Sequence, residues 1–453
     1  SGHIALPDYR SLTTLKYDDD GTEREVQVPK GDTLHQFRKD VGSGQLPAVS
    51  WIVAPCNFSD HPGAAWYGAW YVSEVMNILT EVPEVWKKTI FVLCYDENDG
   101  YFDHVPPFTA PHPLRPETGK CSEGIDTAVD WANAHGRDHS IGLGYRCPLV
   151  VASPWSRGGC VNSQVFDHTS VLQLIETWLE GKGKQVPETN ISVWRRTVCG
   201  DLSSTFRPYN GEKIALPKPL DRDTTIEGIH TAKFKRAPVG GKALSEEEIE
   251  RVDVGALQEP GTRPSCPLPY ELVVDGLRNG NELVLLMEAR QNVFGKESQG
   301  APFNAYGYGE SMGSRAYAVE AGKSIRDTWP AEGAYHVRVD GPNGFMREFR
   351  GNGDDPKVAV NVGYAGGKSP NGKVEIRLSS TAAEALAVEV RDESYATRAQ
   401  RKTLAPSGSA MVTIDTKASH GWYDFTVVIS GLAYRYAGRV ETGRWSVTDP
   451  AMA

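Results

Sequence analysis

Phe91-Val-Leu-Cys-Tyr-Asp-Glu-Asn-Asp-Gly-Tyr-Phe-Asp-His-Val-Pro-Pro107 holds the densest chemistry of the chain. Residues 90–95 form a short apolar run, rich in β-branched and aromatic side chains, with the length of a buried strand. The run stops abruptly at Asp96, Glu97, Asn98, Asp99 and Gly100, so hard oxygen donors stand at the C-terminal end of a strand. In an open α/β sheet, ligands bind at that edge. Neighbouring carboxylates repel one another, and a divalent cation is the natural compensation. The same residues also read as an Asx-rich turn closed by Gly100. His104 and Pro106-Pro107 favour a site, because they add a titratable side chain and a rigid exit just past the carboxylates.

Upstream, residues 46–55 read as another buried strand, followed by a loop over 56–61 that ends in His61. Between the two strands, residues 64–79 carry a helical period in Trp66, Trp70, Val72, Val75, Met76 and Leu79. Strand, helix and strand in that order predict a βαβ unit and a parallel sheet. Downstream, residues 106–138 are proline-rich and irregular, a candidate lid. Residues 145–153 read as a third strand, ending in the turn Pro154-Trp155-Ser156-Arg157-Gly158-Gly159. A helix over 171–179 then opens at Asp167-His168-Thr169-Ser170, with Asp167 or Thr169 as its cap. His168 at that position serves either catalysis or structural hydrogen bonding. Nearer the N-terminus, a hairpin is expected around Asp20-Gly21 and a short helix over 33–40.

From about 217 to 267 the sequence turns charged and rich in proline and glycine, the composition of a linker. Beyond it the character changes to short strands separated by Asn-Gly and Pro-Asn-Gly turns. Residues 333–351 resemble 421–439, and 282–289 match 373–380 at a similar separation, which predicts two tandem β-sandwiches of immunoglobulin size. The expected organisation is therefore an α/β part over 1–216, a linker over 217–267, and sandwiches over 268–355 and 356–447.

The 453 residues predict two to four domains. With 48 basic against 58 acidic residues, the net charge of -10 argues against nucleic acid as a partner. No apolar run is long enough to span a bilayer. Seven cysteines occur without C-x-x-C spacing, which speaks against a zinc ribbon or a thioredoxin-like site.

Tyr95-Asp-Glu-Asn-Asp-Gly-Tyr-Phe-Asp-His-Val-Pro-Pro, Ser59-Asp-His-Pro, Ser153-Pro-Trp-Ser-Arg-Gly-Gly and Phe166-Asp-His-Thr-Ser together resemble the bacterial phosphocholine-specific phospholipase C family. That family is similar to bacterial acid phosphatases of the alkaline-phosphatase-like superfamily. The resemblance implies α/β architecture, a partial parallel sheet, followed by two all-β sandwich domains. It implies a divalent metal ion, of unspecified identity, held in part by Asp96 and Glu97. His61 and His104 are implied as catalytic, placed around the phosphate. Tyr101, Trp155 and Arg157 are candidates for choline or phosphate, since a quaternary ammonium is recognised by aromatic faces. The expected partners are a phospholipid substrate and, peripherally, a membrane surface, in a secreted or periplasmic bacterial protein.

Family members carry a Glu-Asn metal pair and a Ser or Thr nucleophile in sequence that would precede this chain. The expectation is therefore that this chain holds only part of the catalytic domain and is inactive alone. Competing readings are an acid-phosphatase-like monoesterase and a non-catalytic β-sandwich binding protein.

Overall fold

The computed structural model describes residues 11–59, 63–98, 100–103, 105–209, 211, 217–237, 239–252 and 260–452. The N-terminal hairpin pairs β1 (Leu12–Asp19) with β2 (Thr22–Pro29). It is closed by Asp20 and Gly21, both at positive φ, the backbone a tight two-residue hairpin turn requires. Next come α1 (His35–Ser43), α2 (Ala65–Thr80) and α3 (Pro83–Trp86). Trp70, Tyr71, Val75, Ile78 and Leu79 fall on one face of α2, as a 3.6-residue period demands, and pack with Leu34 and Val41. Trp66 lies off that face and is 73% exposed.

β3 (Phe91–Cys94) is the strand read from the sequence, and its partner is β5 (Leu149–Ala152). Their pairing is antiparallel, Phe91 opposite Ala152 and Cys94 opposite Leu149. The expected βαβ unit is thus not what forms: residues 46–55 are not in a strand, and Trp51 and Val53 are exposed. An apolar run becomes a strand only where a partner edge is available, and among the described residues no strand pairs with this one.

Between β3 and β5 the long loop is docked rather than free. Its β4 (Gly119–Cys121) adds in parallel to the later strand β10 (Gly313–Val319) of the first sandwich, and the loop backbone is tied by Asn304 Nδ2 to the Pro107 carbonyl at 3.1 Å. Gly119 has φ 128°, and a Cβ there would lie 1.8 Å from the Ala316 carbonyl oxygen, so only glycine fits this approach. Then follow α4 (His168–Glu180), α5 (Val193–Val198), α6 (Arg222–Ala232) and α7 (Glu246–Glu250). Helix α6 lies against the N-terminal hairpin, with Tyr17 Oη 2.8 Å from His230 Nδ1 and the Arg24 guanidinium 3.5 Å above the Phe234 ring.

The first sandwich is entered through β6 (Pro264–Ser265). It consists of β7 (Leu272–Asn279), β8 (Glu282–Ala289), β9 (Ala301–Tyr308), β10 (Gly313–Val319), β11 (Ser324–Pro330), β12 (Tyr335–Asp340) and β13 (Met346–Gly351). The second repeats it as β14 (Val358–Tyr364), β15 (Lys373–Ser380), β16 (Leu386–Asp392), β17 (Gln400–Leu404), β18 (Ser409–Asp415), β19 (Trp422–Ile429) and β20 (Leu432–Arg439). Each sandwich sets a three-stranded sheet, β11-β8-β7 or β14-β15-β18, against a four-stranded face.

The two faces fuse where β13 pairs antiparallel with β20, giving one sheet ordered β17-β16-β19-β20-β13-β12-β9-β10-β4. Alternate residues point inward, as Leu283, Leu285, Met287 and Ala289 do along β8. Arg347 is buried at the seam, donating to the carbonyls of Met346 and Ala437 and to Tyr423 Oη. The short β21 (Ser446–Val447) returns to pair with β6.

Glu441 lies nearby, 4% exposed, accepting from the Leu268 amide at 3.2 Å. Burial pushes its carboxyl up to about 7, outweighing the Arg439 guanidinium 3.4 Å away. A carboxyl raised above its unfolded value of 4.5 holds its proton more tightly in the folded chain. Its stabilising contribution is complete below pH 4.5 and is lost as pH rises through about 7. Glu441→Gln should therefore gain stability relative to the parent across that window, by about 3 kcal/mol at its upper end. Urea midpoints that shift in parallel for both proteins from pH 5 to 8 would show that Glu441 does not titrate there.

Candidate active site

Asp96 and Glu97 stand on a bend immediately after β3, both exposed. The bend is shaped by Asn98, whose side chain donates to the Tyr101 carbonyl at 2.6 Å and accepts from the Gly100 amide at 3.3 Å. Gly100 takes φ 80°, so the Asx turn read from the sequence exists and serves to present the acids. Tyr101 and Phe102 follow at 69% and 71% exposure, with Phe102 edge-on to Tyr145 at 5.3 Å. His61 and His104 lie outside the described residues.

The antiparallel ladder decides which candidates meet. Because β5 runs against β3, the turn carrying Trp155 and Arg157 leaves the ladder beside Phe91, at the end opposite Asp96 and Glu97. Four paired residues separate the two groups, a rise of about 10 Å. Trp155 is half-buried, its carbonyl accepting from the Arg207 amide at 2.9 Å. The Arg157 guanidinium lies 4.7 Å above the Tyr209 ring.

A cleft of about 690 Å³ runs along this ladder, lined by Arg146, Arg157, Arg207, Asp103, Cys147 and His168 among others. Its three guanidinium groups suit an anionic ligand. Asp96, Glu97, Tyr101 and Trp155 are not among the described residues that line it.

The wall of the cleft rests on α4. Asp167 caps it, accepting from the Thr169 amide at 2.9 Å and the Thr169 hydroxyl at 2.6 Å, while Ser170 Oγ accepts from the Asp167 amide. The other Asp167 oxygen meets Arg195, whose Nε also donates to Asp130 at 2.8 Å. Both carboxylates are 2% exposed. Ser192 completes the group, donating to Asp130 at 2.6 Å. His168 Nε2 lies 2.9 Å from the Tyr95 carbonyl, which links the helix to the tip of β3. Sequence reading missed Asp130 and Arg195, since nothing in the motifs connects residues so far apart along the chain.

Adjacent carboxylates are the right donors for a hard divalent ion, which takes six or more oxygens. They supply two ligand residues, and among the described residues no histidine or further carboxylate gathers with them into a group able to hold an ion. The pair fits as part of a metal shell.

A phosphoesterase family model matches residues 9–180, and the model for the bacterial phospholipase C C-terminal domain matches twice, over 264–352 and 356–439. The chain carries a phosphoesterase-family domain followed by two bacterial phospholipase C C-terminal domains. The chain is 36% identical over 439 residues to the non-hemolytic phospholipase C of Pseudomonas aeruginosa, covering 92% of this chain and 60% of that protein. It is 36% identical over 447 residues to the non-hemolytic phospholipase C of Burkholderia pseudomallei, covering 94% and 60%. The hemolytic phospholipase C of Pseudomonas aeruginosa is 32% identical over 492 residues, covering 99% and 63%. The chain thus spans about 60% of the length of these curated relatives. No helix of its described residues is long and apolar enough to cross a membrane.

Proposed function

We propose that this chain is part of a phospholipase C that hydrolyses phosphatidylcholine or sphingomyelin to phosphocholine and diacylglycerol or ceramide. The observation that carries the reading is the exposed Asp96-Glu97 pair at the tip of β3, beside a cleft walled by three arginines. A divalent ion held by Asp96 and Glu97 with ligands from outside this chain would, when bound, activate a hydroxyl nucleophile and neutralise a phosphoryl oxygen. The nucleophile too is proposed to come from sequence outside residues 1–453, so this chain alone is expected to be inactive.

Within the chain, His61 or His104 protonates the departing alkoxide. Tyr101, with its exposed ring on the loop that carries the acids, offers a face to the choline cation. Arg157 lines the cleft at the far end of the ladder, where it reaches a substrate that extends along it, and Trp155 is a candidate on the same turn. The β-sandwiches are proposed to engage the lipid surface, in a secreted or periplasmic setting.

The test uses a protein of the relatives' full length that contains this chain. Phosphatidylcholine should yield phosphocholine and diacylglycerol, chelation should abolish the release, and p-nitrophenyl phosphate should be a poor substrate. A preference for the simple monoester would make the protein an acid-phosphatase-like enzyme. Absence of turnover on both, with intact folding, would favour a binding protein.

A further inference from the structure

A different set of ligand atoms does come together in this chain. Cys94 Sγ, Cys147 Sγ and a ring nitrogen of His168 all lie within 4.8 Å of one another. They are delivered by three separate pieces of chain: the last residue of β3, the segment leading into β5, and the first residue of α4. Cys147 Sγ stands 3.6 Å from His168 Nε2. A tetrahedral ion bonded at about 2.3 Å to sulfur and about 2.0 Å to nitrogen holds those two atoms about 3.6 Å apart. The spacing that such an ion needs is therefore already built.

Cys147 Sγ and His168 Nε2 also converge on one acceptor, the Tyr95 carbonyl oxygen, each at 2.9 Å. All three residues line the 690 Å³ cleft, which gives an ion an entry path and leaves one side open.

We propose that Cys94, Cys147 and His168 form a second metal site, a Cys2His centre for zinc whose fourth position faces the cleft. Thiolate and imidazole select zinc, whereas the carboxylates of Asp96 and Glu97 select a hard ion, so the chemistry sorts two ions within a few residues of sequence. On binding, each thiol releases its proton to solvent and forms one sulfur–zinc bond. Neutral His168 takes the tautomer with its proton on Nδ1, gives up the Nε2 hydrogen bond to the Tyr95 carbonyl and donates the Nε2 lone pair, and water fills the remaining position. No electron is transferred. The bound ion clamps the tip of β3, on which the acid pair sits, to α4 and to the segment entering β5.

The probe is cobalt(II), added to the reduced, metal-free chain. One equivalent should bind with the near-ultraviolet charge-transfer band of cobalt–thiolate bonds and the intense visible bands of tetrahedral coordination, and zinc should displace it. The Asp96→Asn, Glu97→Gln double variant should retain both bands. Cys147→Ser should lose the charge-transfer band in large part, and so should Cys94→Ser, which serves if the first variant fails to fold. His168→Ala should weaken binding at least tenfold. Absence of the thiolate band in the reduced parent, its persistence unchanged in either cysteine variant, or recovery of a Cys94–Cys147 disulfide from protein kept with zinc and reductant would each overturn the site.

Discussion

In a protein of the relatives' length, Asp96→Asn is expected to lower phosphatidylcholine turnover on the order of 1000-fold. The substitution keeps the shape of the side chain and removes the charge, so folding should be little affected at this exposed bend. What it removes is an anionic oxygen donor from the proposed shell, and Lewis-acid stabilisation is worth several kcal/mol, where each 1.36 kcal/mol is a factor of ten in rate. Adding excess divalent ion should restore part of the activity, because the weakened site then fills by mass action. Unchanged kinetics at limiting metal would remove Asp96 from the shell. A loss that no metal concentration restores, with metal content intact, would assign the residue a different role.

Arg195→Met should destabilise the N-terminal part by about 3–5 kcal/mol, the cost of leaving a buried charge unpaired. Two carboxylates depend on this one guanidinium, Asp130 and Asp167, each 2% exposed. Total stabilities run only about 5–15 kcal/mol, so the variant should be partly unfolded under mild conditions. The effect should reach α4, because Asp167 is its cap, and with it the position of His168. Adding Asp130→Asn to the variant should recover part of the loss by removing one orphaned charge. A urea transition within 1 kcal/mol of the parent would show that solvent reaches these carboxylates and that the ion pair carries little.

What was legible in the sequence follows from the range of the signals. Short β-rich runs between Asn-Gly and Pro-Asn-Gly turns are local signals, so β8, β12, β15, β19 and the repeat between the sandwiches could be read directly, and they form as expected. The Asp20-Gly21 turn and the Asp167 cap are likewise written in a few adjacent residues. Strand direction is not local. An apolar run such as 91–94 looks the same whether its partner is parallel or antiparallel, and the inferred βαβ unit therefore gave way to an antiparallel ladder.

That single difference places Trp155 and Arg157 at the opposite end from Asp96 and Glu97, although the motifs had grouped them. The docked loop was hidden for the same reason: proline content marks residues 106–138 as irregular without revealing that β4 extends a sheet formed some 200 residues later. The convergence of Cys94, Cys147 and His168 could have been sought only by pairing strand ends that the sequence does not pair.

The seam between the sandwiches joins corresponding strands, β13 of one repeat and β20 of the other, running in opposite directions. Two copies of a single unit, related by a two-fold axis, would meet through the same kind of contact. Here the copies are tethered in one polypeptide. An association that would otherwise disappear on dilution is kept by an effective local concentration that does not depend on how much protein is present. The paired architecture thus persists whatever the protein concentration, and the two strands that would otherwise template aggregation cover one another.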